Sequence, residues 1–225
     1  MKTIAISQSN YLPWAGYFKL IDSVDEFIFF DEVQYTRRDW RNRNKIILDK
    51  KIKWLSLSVE NKGNFKEQIN KIKVSDKNWK EKHMQILTYA YKKYPYFDKV
   101  IKFLDEILDK EEIFLSKINQ KTIINIAKFL GIKTKFYNSV DLTLFNQTKS
   151  DASSRLVEIC KIRKANKYIS GPAAKNYLNL SKFELEDIKI NWFDYNTKKE
   201  MIDENLSIIH MLMKHGKNKK EILKT

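Results

Sequence analysis

The sequence predicts an α/β protein built on a mainly parallel, Rossmann-like sheet with helices on both faces. Two observations carry that expectation. The chain opens on strand, polar loop, helix, strand, which is a βαβ unit. Strand–helix alternation then resumes after residue 133, and repeated alternation implies a parallel sheet covered on both sides.

In chain order, TIAIS (3–7) is a short β-branched apolar run ended by the polar QSN, the pattern of a buried first strand. YLPWAGYFKLIDSV follows, with a helix beginning near Trp14 and Phe18 facing inward. EFIFFD (26–31) is a second buried strand with an acidic end. From about 41 to 74, NKIIL, KWLSLSV and INKIKV are separated by short polar turns and predict an antiparallel strand extension. From about 77 to 130 the spacing is helical. It predicts an insertion of three helices, about 77–92, 96–109 and 111–130, the last stopped by Gly131. KTKFYNS, a helix from about 150 to 164, KYIS, a helix opening at GPAAKNYL, IKINWFDY and a helix over 203–215 complete the pattern, ahead of a short basic tail.

A length of 225 residues with 43% hydrophobic and 13% aromatic content suits one α/β domain over 1–225. No apolar run nears the roughly 20 residues of a membrane span, and the N-terminus has no signal-peptide pattern, so a cytoplasmic protein without membrane insertion is expected. The single Cys160 excludes an internal disulfide and a cysteine-rich metal site, and it reads as a buried small hydrophobe. No metal site is expected.

The net charge of +15 invites a nucleic-acid reading, but the lysines are spread from Lys2 to Lys224. The arginines are not. Four of six, Arg37, Arg38, Arg41 and Arg43, fall within seven residues, and guanidinium groups grip phosphate or carboxylate with paired hydrogen bonds that lysine cannot make. The plainer alternative is a charged edge strand paired with Asp31, Glu32 and Asp39.

Ligands of open parallel sheets bind at the carboxyl ends of the strands. Three loops there are conspicuously polar. The first offers Gln8, Asn10, Tyr11, Trp14 and Gly16, with Tyr11 turned to the site. The second carries Asp31, Gln34 and Tyr35 into the arginine cluster with Asn42 and Asn44. The third places Ser170 and Gly171 before a proline, with Lys175 in the first helical turn, so that a helix N-terminus could take a phosphate. Asp31 is the best-placed carboxylate for a general base, although nearby arginines would lower its pKa and favour charge stabilisation instead. Trp40 could face either way. His83 and His215 read as exposed and His210 as a core histidine. No P-loop, HExxH, GxSxG or GxGxxG pattern occurs.

QSNYLPWAGYFKLIDSVDEFIFFDEVQYTRRDWRNRNKI closely resembles the opening of the WbqC-like family, bacterial proteins associated with O-antigen and other surface polysaccharides. KKYPYFDKV, LGIKTKFYNS, YISGPAAKNYL, INWFDY and NLSIIHMLM extend the resemblance over essentially the whole chain. It implies work on nucleotide-linked amino sugars and transfer of an aminoacyl group such as glycyl to the sugar amine. Members commonly carry histidine where this chain has Ser7; if that histidine is a required base, Asp31 must replace it or the chain is impaired.

The leading expectation is therefore an N-acyltransferase. Arginines 37–43 and the SGP turn would hold the pyrophosphate of the nucleotide sugar, and Asp31, Gln34 and Tyr35 would orient the amine. The donor would be an acyl thioester, on CoA or on an acidic acyl- or peptidyl-carrier protein drawn to the basic surface, with no tightly bound cofactor. A non-catalytic or tRNA-binding role through the arginine strand ranks second, with nucleic acid a less favoured partner. Nucleotidyl transfer ranks third, because the paired histidines it calls for are missing from the first loop.

Overall fold

The computed structural model describes residues 1–60, 66–142, 151–195 and 205–223. Its centre is a five-stranded parallel sheet in the order β5-β2-β1-β6-β7. These strands are β1 (Thr3–Ser7), β2 (Glu26–Phe29), β5 (Lys135–Asn138), β6 (Lys167–Ser170) and β7 (Lys189–Trp192). A separate antiparallel hairpin pairs β3 (Arg43–Leu48) with β4 (Lys51–Ser56).

Alternation of side chains along a strand divides the core. Ala5, Phe27, Phe29 and Ile169 face a large cluster that includes helices α1 (Ala15–Asp22), α2 (Trp79–Tyr91), α3 (Phe97–Ile107), α4 (Leu115–Phe129), α7 (Ile208–His215) and α8 (Lys219–Leu223). Ile4, Ile6, Ile28 and Phe30 face a smaller cluster with α5 (Ala152–Ile162) and α6 (Ser181–Glu184). Each fully buried Ile or Phe is worth about 1.5–3 kcal/mol, so register here is strongly specified. At the amino end of the sheet Arg163 grips Glu26 through Nε and Nη2 at 2.8 and 3.0 Å, and Lys2 adds a contact of 2.7 Å. Burial alone would raise the Glu26 carboxyl; these cations overcome it and hold it below its ordinary value.

Most expected elements are present within a few residues. Gly131 stops α4 with φ +73°, its N–H reaching Lys128 and the next N–H reaching Ala127, a Schellman cap. Phe18 is fully buried, and Cys160 is buried with its thiol pushed up to about 12 by desolvation. No described helix is long and apolar enough to cross a membrane.

Four expectations need correction. INKIKV forms a 3-10 turn at Ile69–Lys71 and isolated bridges rather than a strand, because Ile69 and Ile72 both point into the core. GPAAKNYL forms a five-residue 3-10 turn, Pro172–Asn176, rather than an α-helix. The basic tail contains α8, whose Ile222 and Leu223 are buried and whose Lys219 pairs with Asp22. His83 is buried in α2, and desolvation lowers its pKa to about 4. The 203–215 helix is seen from Ile208; residues 203 and 204, like residue 150 of the preceding helix, lie outside the described set.

Candidate functional site

After β1 the chain goes to β2 on one side, and it later returns to β6 on the other. The loops after β1 and β6 therefore part company, and a crevice must open between them. A cavity of about 340 Å³ lies there. Its floor is apolar, from Ile6, Phe30, Leu156 and Ala174, and its polar groups come from Ser7, Gln8, Ser170 and Arg155. Tyr177 stands exposed at its edge and Tyr168 reaches Ser170 Oγ at 3.2 Å.

Arg155 enters from the first turns of α5. Asp151 caps that helix by accepting from the N–H groups of Ser153 and Ser154. The guanidinium carbon lies 5.1 Å from the Phe30 ring centre. Its Nε is buried and has no partner among the described residues. A cation with an unspent donor, near the positive end of an eleven-residue helix and beside a concave wall, suits an anionic ligand group.

The first loop is fixed from below by Arg41. One nitrogen donates to Gln8 Oε1 at 2.9 Å, the other to Asn10 Oδ1, and Asp39 lies 3.7 Å away. Helix α4 braces the same loop. Asn119 donates to the Arg41 carbonyl at 2.8 Å, and Gln120 donates to Asp31 at 2.7 Å. Gln8 thus belongs to both the arginine fork and the crevice wall.

Of the sequence-predicted residues, Ser7, Gln8, Ser170 and Gly171 meet at the crevice. Asn10 and Arg41 lie behind it through Gln8. Trp14 is half-buried against Tyr195, ring centres 4.9 Å apart.

The others are placed differently, and the four arginines do not converge. Arg37 and Arg38 are exposed, and Arg43 donates to the Arg38 carbonyl while its guanidinium covers Trp54 at 4.1 Å. Asp31 is buried, with one oxygen accepting the Ser9 N–H at 2.8 Å and the other accepting Gln120. Desolvation raises its pKa against the pull of Ser9, Gln120 and Arg41, which reverses the expected direction. Tyr11 does not face the site; it is fully buried, its hydroxyl 2.7 Å from His83 Nδ1. Tyr35 is buried and Gln34 is exposed beside Gln68. Asn42 holds the Leu57 carbonyl, and buried Asn44 holds those of Tyr11 and Leu12. Leu12 adopts φ +43°, a conformation sustained by Asn44 and by Ser207, which also donates to its carbonyl. Lys175 is exposed over Trp192 at 5.5 Å and does not line the crevice. The third loop offers no helix terminus to a phosphate, since its 3-10 turn is too short to build a dipole.

Sequence reasoning missed Arg155, Asn119 and Gln120. Arg155 had a signal, because an arginine outside the cluster is unusual in a chain that otherwise uses lysine. Asn119 and Gln120 had none, being polar residues on an amphipathic helix.

The model of the WbqC-like protein family matches residues 8–222. The chain belongs to that family. This WbqC-like protein is also 38% identical over 197 residues to the uncharacterized protein Rv1507c of Mycobacterium tuberculosis, a match covering 87% of this chain and 84% of the relative. No solved structure matches it. The matched span takes in Gln8, Arg41 and Arg155 and begins immediately after Ser7.

Proposed function

We propose that this WbqC-like protein is an N-acyltransferase that places an acyl group, an aminoacyl group such as glycyl, on the amine of a nucleotide-linked amino sugar for surface polysaccharide synthesis. The observation that carries the reading is the switch-point crevice, whose wall brings the Arg155 cation together with Ser7, Gln8 and Ser170. Nucleotide ligands favour this position in open parallel sheets. Arg155 binds a phosphate oxygen of the pyrophosphate, and the short hydroxyl and amide side chains orient the sugar. The reaction class rests on the family resemblance.

The chemistry asks little more than positioning. The neutral amine attacks the thioester carbonyl carbon, a C–N bond forms, and the C–S bond breaks. The departing thiolate takes up the proton released by nitrogen. Atoms and charge balance without a metal or a covalent intermediate. Asp31 has both oxygens engaged inside the protein, so its part is to hold Ser9 and hence the loop that carries Gln8.

The test offers the purified protein a panel of nucleotide-linked amino sugars with acyl-CoA and thioester-loaded carrier proteins, and reads amide formation by mass spectrometry. Product is expected with at least one pair. Arg155→Ala should weaken nucleotide-sugar binding about tenfold or more, the worth of a charge-assisted hydrogen bond, with an unchanged melting temperature. Absence of both amide and nucleotide-sugar binding across the panel refutes the reading.

A further inference from the structure

The β3–β4 hairpin has one face in the core and one outside. Asn44, Ile46 and Leu55 turn inward and are buried. The register puts Lys45 opposite Trp54, Arg43 opposite Ser56 and Ile47 opposite Ile52, all on the other face. There Trp54 is 43% exposed, and Trp40, from the preceding turn, is 38% exposed. The two rings stand 5.3 Å apart at 49°. Arg43 lies over Trp54 at 4.1 Å, and Lys45 Nζ lies near both indoles, 5.6 Å from the Trp40 ring centre and 5.4 Å from that of Trp54.

Folding alone does not account for this face. A half-exposed indole returns only part of the free energy of a buried one. Neither Arg43 nor Lys45 has a carboxylate partner among the described residues, and neighbouring Asp39 is engaged by Arg41. Flat rings with uncompensated cations held at their faces are what unpaired bases and their phosphates require: bases stack on indoles whatever their sequence, and cations follow the backbone.

We infer that this face is a stacking platform for single-stranded nucleic acid, which lays about two unpaired bases on Trp40 and Trp54 and its phosphates on Arg43 and Lys45. The net charge of +15 supplies long-range attraction. An acidic protein would share that attraction, but it would need a pocket for an apolar anchor, and the face is an open two-stranded surface. None of the four residues lines the crevice, so this surface stands or falls apart from the acyltransferase reading.

The experiment titrates the full chain with a short oligothymidylate at about 50 and about 200 mM salt, following tryptophan fluorescence. Quenching is expected, with affinity falling as salt rises on a slope of about −0.7 per phosphate held. Trp54→Ala and Trp40→Ala should each weaken binding about tenfold, Trp54→Phe should retain most of it, and Arg43→Ala should reduce the salt slope by about 0.7. Melting curves confirm that the variants fold. The inference is overturned if the alanine variants bind like the parent, or if polyglutamate of equal charge quenches and competes as well as the oligonucleotide. Nucleotide-sugar binding should be unaffected by either tryptophan substitution.

Discussion

At the scale of residues, the arginines show what lysine could not replace. Arg163 makes a two-nitrogen grip on Glu26, Arg41 forks between Gln8 and Asn10, and Arg43 sits over an indole. A lysine keeps the charge at these places and loses the geometry. Arg41→Lys should therefore destabilise the protein by about 1–3 kcal/mol in denaturant unfolding and loosen the first loop; a variant as stable as the parent would mean the fork is idle. The arginine cluster was legible in the sequence as unusual, but where each guanidinium points was not, because direction depends on the turn at Arg38, whose φ is +55°. His83 was misread for a related reason: its neighbours Lys80, Glu81 and Lys82 in α2 hide the one buried face of that helix. Its pKa, about 4 rather than the ordinary 6.5, gives a signed prediction. Between those values the unfolded chain binds a proton that the folded chain does not, so stability is full above about 6.5 and is lost as pH falls toward about 4. The contribution is up to about 3 kcal/mol. Asp31 and Glu32, whose pKa values burial raises, carry the opposite slope, so the informative quantity is a difference. Unfolding free energies of the parent and of His83→Gln should converge as pH drops through this window, and parallel curves would show that His83 is not the group responsible.

At the scale of elements, periodicity located strands and helices well where local chemistry agreed with tertiary packing. The hairpin turn at Asp49 and Lys50 has φ +51° and +59°, the I′ geometry that matches strand twist, and the sequence marked it by polarity alone. INKIKV failed because three branched residues read as a strand, yet its backbone bonds go to several different segments, Asp31 and Val33, Glu60, and Ile113 and Leu115, so no continuous ladder forms and only isolated bridges to Phe114 and Val59 result among the described residues. GPAAKNYL failed because Pro172 suits the first turn of either helix type. Two glycines, Gly16 in the first turn of α1 and Gly171 on the loop after β6, behave differently. A Cβ on Gly16 would meet the Trp14 ring at 2.3 Å, whereas on Gly171 it would meet, among the described residues, the Tyr195 hydroxyl alone at 3.5 Å, with φ −66° acceptable to any residue. Gly16→Ala should push Trp14 off Tyr195 and cost about 1–3 kcal/mol, and Gly171→Ala should be neutral within about 0.5 kcal/mol. Thermal unfolding of the two variants measures the contrast.

For the whole molecule, strand order creates the site. The alternation of strands and helices was enough to place the loops after β1 and β6 at the carboxyl edge of a parallel sheet, and Gln8, Ser170 and Gly171 of those loops line one crevice, with Ser7, which the family resemblance had singled out, beside them. The opposing wall was not. Arg155 reaches the crevice because the first turns of α5 pack beside Ile6 and Phe30, residues from the opening βαβ unit far earlier in the chain, a relation that no local pattern encodes. Asn119 and Gln120 are further instances, joining α4 to Ser9, 110 residues earlier, and to Asp31, 89 residues earlier. A crystal structure of the protein with a nucleotide-linked amino sugar is the most direct measurement. The account places the pyrophosphate against Arg155, with the sugar over Ser7, Gln8 and Ser170. Density for the ligand beside Arg37 and Arg38, with the crevice between β1 and β6 unfilled, would contradict it.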